Sequence, residues 1–404
     1  MATKSPYKIY PASKASVEGE APPGFAGGGG DASPLNGEDG LLLSFATLTP
    51  ILPNKYNQAN AFKENRLENI AVIGGGGWGT ALAFLLADKG YALRLWVYEK
   101  ELAGDIQNTR ENKLYLPGVE LPENIAATSS LDEALAGSDI IVFVVPSQSA
   151  RSVLKQMPHL VGKDSVLISC TKGIENDSLM LMSDVIRDVF PVTYHRRLMF
   201  LSGPSFAEEV SKRLPTAVSL AGYDNQLCSK TQKIFTTPYF KVFTSADVTG
   251  VQLGGALKNV IALASGGADG LGFGHNTRAA LITRGLAEIT RLGVAMGADP
   301  VTFAGLSGMG DLVLTCTGHL SRNRMVGYKI GQGIKLSEIL DNMKTIAEGV
   351  RTTRSAYELA KRYNVRMPIV EQIYSVLFED KDPRKAVSDL MEQDVGGEVG
   401  GKNF

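Results

Sequence analysis

The sequence predicts an α/β fold: a parallel-sheet domain covered on both faces, followed by an all-helical C-terminal domain. Three observations carry the prediction. Short, continuously apolar runs alternate with helical segments over residues 67–246, the pattern of strands buried on both faces. A glycine-rich turn follows the first of those runs. Beyond Asp247 the strand-like runs stop and helical segments continue over residues 247–395.

The elements follow in chain order. Ile70-Ala71-Val72-Ile73 is a short apolar strand. Trp78 to Asp88 reads as a helix stopped at Gly90, since glycine accepts the left-handed conformation that ends helices. Leu93 to Tyr98 is the next strand, and further strands are expected at Ile140–Val145, Val166–Ser169, Met199–Leu201 and Ala217–Leu220. In the second domain, helices are expected over Val248–Ser265, Arg278–Leu292, Ser337–Asn342, Thr352–Tyr363 and Glu371–Phe378. A site is expected in the cleft between the two domains. Residues 1–66, with the run Gly27-Gly28-Gly29-Gly30 and little periodicity, read as a disordered extension, and 396–404 as a flexible tail.

Composition narrows the function. The 404 residues carry 41 basic and 42 acidic side chains, a formal net charge of -1. That balance gives no electrostatic reason to expect nucleic acid or an anionic membrane surface. No apolar run reaches spanning length, so no membrane anchor is expected. Cys170, Cys228 and Cys316 are far apart and odd in number, which suggests neither a disulfide framework nor a zinc site. Scattered histidines without HExxH spacing give no reason to expect a metal. The extension has no secretory signal, and Glu18, Glu20, Asp31, Glu38 and Asp39 argue against a transit peptide. A reducing, cytoplasmic setting fits, with organelle targeting by the extension left open.

The turn Gly74-Gly75-Gly76-Gly77-Trp78-Gly79 fits the dinucleotide pattern GxGxxG on Gly74, Gly76 and Gly79. The first glycine permits the tight turn, the second lets a pyrophosphate approach the backbone, and the third lets helix and strand pack closely. The helix N-terminus then offers free N–H groups and partial positive charge to phosphates. The first domain is therefore a Rossmann-type dinucleotide-binding domain. Glu99 lies about 20 residues farther on, where an acid hydrogen-bonds the ribose hydroxyls and repels a 2′-phosphate. This favours NAD, while Arg94 and Lys100 keep NADP open.

Two lysines stand out. Lys172, in Thr171-Lys172-Gly173, and Lys258, in Gly254-Gly255-Ala256-Leu257-Lys258-Asn259, sit among small or apolar residues. Lysine is rarely buried without a partner. Beside a nicotinamide, a buried ammonium can protonate the oxygen of a carbonyl that receives hydride. Two close ammoniums and burial both disfavour the charged form, and a carboxylate opposes them. Asp311, flanked by Gly308, Gly310 and Leu312-Val313-Leu314, is the candidate; its plainer role is a helix N-cap. Arg322, in Ser321-Arg322-Asn323-Arg324, can supply the planar fork a phosphate needs, with Thr315 in reach. Its plainer role is an exposed helix start. Gly254 and Gly255 are expected to serve close packing, Arg284 an ion pair, and Cys170 the core as a small hydrophobe.

Several motifs occur in order: Ile73-Gly74 through Thr80, Thr171-Lys172-Gly173-Ile174-Glu175, Ser202-Gly203-Pro204-Ser205-Phe206-Ala207, and Gly250 through Asn259. Arg278 through Glu288, Gly308-Met309-Gly310-Asp311-Leu312, Ser321 through Arg324, and Ala347-Glu348-Gly349 follow. Together, from about Leu67 to about Met391, they resemble the NAD(P)-dependent sn-glycerol-3-phosphate dehydrogenase family, closest to its bacterial-type branch. The resemblance implies interconversion of dihydroxyacetone phosphate and sn-glycerol 3-phosphate with NAD(P)H, feeding glycerophospholipid synthesis and redox balance. It implies Lys258 as proton donor and acceptor, with Lys172 touching both substrate and nicotinamide. Gly203, Ser205, Asn259, Asp311, Thr315, Ser321, Arg322 and Asn323 would line the pocket of a phosphorylated triose. Gly77, Trp78, Ala207, Arg322, Ile346 and Glu348 would contact the cofactor. Tyr98 stands where bacterial relatives often carry His or Arg against an adenine ribose phosphate, which again favours NAD. A homodimer is expected. The rival readings are another two-domain NAD(P)-dependent hydroxyacid dehydrogenase, such as a β-hydroxyacid dehydrogenase, and a non-catalytic NAD(H) sensor.

Overall fold

A computed structural model describes residues 68–343 and 347–392. The expected N-terminal extension, the expected tail and Ile346 therefore lie outside the described residues. Among the described residues ten strands form two sheets: β1 (Ile70–Ile73), β2 (Leu93–Trp96), β3 (Glu111–Asn112), β4 (Leu116–Glu120), β5 (Ile125–Thr128), β6 (Ile140–Phe143), β7 (Val166–Ser169), β8 (Leu198–Ser202), β9 (Thr216–Gly222) and β10 (Phe240–Ser245). Eight of them make one sheet in the order β10-β9-β8-β7-β6-β1-β2-β5, while β3 and β4 form a small antiparallel hairpin. The strands β1, β6 and β7 are wholly buried, as strands sandwiched between helical layers must be.

The sheet is not parallel throughout. β9 pairs antiparallel with β8, and β10 pairs parallel with β9, so the last two strands oppose the other six. The cause is the path after β8. Gly203, at φ +147°, turns the chain sharply, and the short helix Ala207–Ser211 then lies beside the glycine turn, close enough for a Cβ on Gly77 to come within 3.9 Å of Ala207. The connection stays at the carboxyl end of the sheet, so β9 starts where β8 ends and runs back. Strand β2 ends at Trp96 and β6 at Phe143, two residues short of the expected ends. Tyr98 and Val145 thus belong to the loops that rim the cleft. β5 and β10 escape an apolar-run search because β5 has only three apolar residues in a row and β10 is interrupted by the exposed Lys241 and ends in Thr244 and Ser245.

The helical half is built around Val248–Gly270, whose N-terminus is capped by the Asp247 carboxylate accepting the Gly250 N–H at 2.8 Å. The helix passes its glycines without breaking because a neighbour fills the space. A Cβ on Gly266 would lie 1.9 Å from the Arg324 carbonyl oxygen, and one on Gly327 would lie 2.0 Å from that of Leu263. The helix Arg322–Gly331 therefore lies backbone to backbone on the long helix. His275–Ala295, Pro300–Phe303, Leu336–Asp341, Glu348–Arg362, Pro368–Phe378 and Pro383–Met391 also belong to this half. Pro383–Met391 has no counterpart among the expected helices, and Asp311–Thr317 and Arg322–Gly331 are signalled only by their first residues.

Candidate active site

A cleft of about 740 Å³ lies at the carboxyl ends of β1, β2, β6, β7 and β8, facing the helical half. At one end is the glycine turn. Gly74 sits at φ +125°, and a Cβ there would meet the Val144 carbonyl carbon at 2.9 Å. A Cβ on Gly79 would lie 1.8 Å from the Gly74 oxygen, whereas around Gly76 nothing lies within 4 Å. The turn is thus closed where helix and strand meet and open where a pyrophosphate would approach. Gly76 caps the helix Gly77–Asp88, whose first N–H groups face this space. Trp78 lines the same wall with its indole N–H buried and unpartnered. An open cradle and a positive helix end suit a dinucleotide pyrophosphate.

At the rim, Tyr98 is 79% exposed and meets Trp96 edge-on, ring centroids 6.2 Å apart. Glu99 Oε1 accepts the Tyr115 hydroxyl at 2.8 Å. Ala207 and Ser205 line the opposite wall.

Deeper in the cleft the two lysines meet one carboxylate. Lys258 projects from the long helix, 7% exposed, and donates to Asp311 Oδ1 at 2.6 Å and Thr315 Oγ1 at 2.7 Å. Lys172, just beyond β7, donates to Asp311 Oδ2 at 2.7 Å and to the Gly203 carbonyl at 2.9 Å. Asp311 is 1% exposed. It opens the helix Asp311–Thr317 after a π-helical turn, Leu306–Gly310, and makes no cap bond; Gly310 holds the cap position. Each ammonium has three donors, two committed and one left toward the cleft that both lysines line. Burial pushes the Lys258 pKa down to about 8; Asp311 opposes that shift and Lys172 adds to it. Ser205 Oγ donates to the Gly203 carbonyl at 3.0 Å, which fixes the acceptor that Lys172 uses.

Arg322 opens the helix Arg322–Gly331 and lines the cleft with no hydrogen-bond or ion-pair partner among the described residues. By surface area it is exposed, but the surrounding protein thins its hydration and lowers its pKa, with nearby Glu348 opposing. Ser321 caps that helix by accepting the Arg324 N–H at 3.2 Å. Asn323 is committed on both sides: its amide donates to Asn259 Oδ1 at 2.8 Å, and its oxygen accepts the Gly349 N–H at 2.9 Å. Glu348 Oε2 accepts the Ser147 hydroxyl at 2.6 Å, and Oε1 is buried without a partner. Burial raises the Glu348 carboxyl above its usual range.

The structure thus brings the glycine turn, both lysines, Asp311, Thr315 and Arg322 to one cleft. Arg284 lies elsewhere, lining a larger apolar cavity of about 1060 Å³ within the helical half that holds none of the expected site residues. Cys170 is buried and its thiol is pushed well up by burial, the behaviour of a core residue rather than a nucleophile. Gly254 and Gly255 serve close approach: a Cβ would lie 2.3 Å from the Ser307 oxygen in one and 2.2 Å from Ser202 Oγ in the other. Sequence reasoning missed Asn112, Tyr115 and Ser147. The Pro117-Gly118 pair, a turn-type dipeptide, is the signal that could have drawn attention to the hairpin carrying the first two.

A parallel-stranded nucleotide turn facing a helical half, with a lysine pair held by a buried aspartate between them, defines a two-domain nicotinamide-dependent dehydrogenase. Residues 69–228 and 247–388 match the family models described as NAD-dependent glycerol-3-phosphate dehydrogenase N-terminus and C-terminus. The chain belongs to that family. It is 57% identical over 333 residues to a glycerol-3-phosphate dehydrogenase [NAD(P)+] of Geobacter metallireducens, a match covering 82% of this chain and 99% of the relative. A relative of the same name from Syntrophotalea carbinolica is 56% identical, covering 82% and 99%. The crystal structure of glycerol-3-phosphate dehydrogenase from Coxiella burnetii superposes with a TM-score of 0.77 at 39% identity, covering 81% of this chain and 99% of that one.

Proposed function

We propose that this chain interconverts dihydroxyacetone phosphate and sn-glycerol 3-phosphate by hydride exchange with a nicotinamide dinucleotide. The observation that carries the reading is the Lys172–Asp311–Lys258 bridge at the base of a cleft that has a dinucleotide turn at one end and the unpaired Arg322 guanidinium in its wall. The bound nicotinamide supplies or accepts the hydride. Lys258 donates a proton to the carbonyl oxygen in reduction and removes one from the hydroxyl, as a neutral amine, in oxidation. Lys172 directs its remaining N–H at the same oxygen and stabilises developing negative charge. Asp311 holds both amines in register. Gly74, Gly76, Gly77, Trp78, Gly79, Ala207 and Glu348 hold the cofactor, with Tyr98 and Glu99 at its adenosine end. Gly203, Ser205, Asn259, Thr315 and Ser321 shape the substrate pocket. Asn323, clamped between two helices, fixes the direction of Arg322.

The test follows NADH absorbance with dihydroxyacetone phosphate, unphosphorylated dihydroxyacetone and a β-keto acid. Oxidation of NADH with the phosphorylated ketone alone supports the reading; a preference for either other substrate overturns it. Arg322→Lys keeps the charge but loses the planar fork. It is expected to raise KM for the phosphorylated substrate by about tenfold, the loss of one charge-assisted hydrogen bond; a KM equal to that of the parent chain removes Arg322 from phosphate binding.

The Lys258 pKa near 8 predicts opposed pH limbs. Reduction needs the ammonium, so its rate falls as pH rises through about 8; oxidation needs the amine and rises over the same interval. Stability follows the same depression. Between about 8 and the ordinary 10.5 the unfolded chain binds a proton here that the folded chain does not. This group's contribution to stability therefore increases with pH across that window. Parallel rather than opposed limbs contradict the assignment.

Three buried, free cysteines support a reducing, cytoplasmic compartment. The homodimer expected from the helical half is part of this reading, and sedimentation of the purified chain tests it.

A further inference from the structure

The rim of the cleft carries an arrangement that the reaction above does not use. Tyr115 ends the turn of the β3–β4 hairpin, and that hairpin is fastened to the glycine turn. Asn112, fully buried, donates its amide to the Gly75 carbonyl and to the Thr80 hydroxyl, both at 2.8 Å. Its oxygen accepts the Tyr115 N–H at 3.1 Å. The Tyr115 carbonyl oxygen lies so near the turn that a Cβ on Gly77 would come within 2.7 Å of it. From that anchored backbone the Tyr115 hydroxyl reaches Glu99 Oε1 at 2.8 Å. One short loop therefore fixes the Glu99 carboxylate relative to the place where a pyrophosphate would lie.

The charges around Glu99 are one-sided. Arg94, the cation that sequence left open as a phosphate partner, donates its guanidinium to the Ala136 carbonyl. Lys100 does not line the cleft, whereas Tyr98, Glu99 and Tyr115 do. Glu99 has no ion-pair partner among the described residues. Tyr98 is neutral and cannot supply the cation a 2′-phosphate needs.

We propose that Tyr115 is a positioning residue for cofactor choice: it holds Glu99 where the carboxylate accepts from the ribose diol of NAD and opposes the 2′-phosphate of NADP. This rests on the dehydrogenase reading of the cleft and deepens it. A carboxylate that accepts one phenol hydroxyl retains lone pairs for both ribose hydroxyls. A 2′-phosphate brings further negative charge against a carboxylate that the Tyr115 hydroxyl holds in place.

Direct binding of NADH and of NADPH to the full chain, followed by nicotinamide fluorescence without a second substrate, tests this; kcat/KM with each cofactor completes it. The parent chain is expected to bind NADH at least about tenfold more tightly than NADPH, the effect of one like-charge contact at a partly solvated site. Tyr115→Phe keeps the ring and removes the hydroxyl. It should weaken NADH binding and narrow the preference by about threefold, a single net hydrogen bond, with NADPH binding held or tightened. Glu99→Gln, with Tyr115 intact, should collapse the same ratio. The proposal is overturned if the parent binds NADPH as tightly as NADH, if Tyr115→Phe weakens both cofactors equally, or if that variant leaves the ratio unchanged. If the preference and its loss are observed but dihydroxyacetone phosphate is not reduced, the reaction assignment fails while the cofactor inference stands.

Discussion

Replacing Lys258 with alanine is expected to lower turnover by about 10²–10⁴, the range of acid–base assistance by a positioned side chain, while NADH still binds. Hydride delivery to a ketone leaves negative charge on oxygen, and the alkoxide needs a proton within reach. In the proposed mechanism Lys258, whose pKa burial lowers to about 8, is the amine that gives and takes that proton near neutrality. Its removal does not strand Asp311, because Lys172 still pairs with Oδ2 at 2.7 Å. The fold should therefore survive, and fluorescence titration with NADH should be close to that of the parent chain. Unchanged turnover removes Lys258 from the role. Loss of both turnover and cofactor binding points to collapse of the cleft instead.

Asp311→Asn is expected to be the most destabilising single change in the site. The amide keeps the size of the carboxylate and removes the charge shared by two ammoniums, Lys258 at 2.6 Å and Lys172 at 2.7 Å. Breaking a buried ion pair from one side costs about 3–5 kcal/mol because the other charge is left uncompensated. Here the expected cost is near the lower figure, since Lys172 retains some exposure and Lys258 can lose its proton. That escape gives a specific signature: the deficit in thermal stability should shrink as pH rises and Lys258 becomes neutral. Turnover should fall as well, because neither amine is then held toward the substrate oxygen. A change of less than about 1 kcal/mol, the size of an exposed pair, contradicts the buried-bridge account.

Much of this is legible in the amino-acid sequence itself. Strands such as Ile140–Phe143 announce themselves because both faces are buried, so every residue is apolar. The glycine turn is legible because each glycine answers a separate steric demand. Lys172, Lys258 and Asp311 are legible as residue types, since a charge among small apolar neighbours has to be paired. Their meeting on one carboxylate is not legible. Lys172 lies 139 positions from Asp311 and Lys258 lies 53 from it, and no local periodicity encodes contact across such separations. Nor is the reversed strand β9, whose direction is set by where the preceding loop packs. Tyr115 and Asn112 sit in an ordinary polar turn; their importance arises from the backbone they touch.

The Asp311 bridge carries a mechanical implication. Its two oxygens grip one amine rooted beside β7 and another rooted in the longest helix, so the carboxylate acts as a rivet through the floor of the crevice. Swinging the two lobes apart would break the Lys172 contact and leave Asp311 with Lys258 as its single counter-charge.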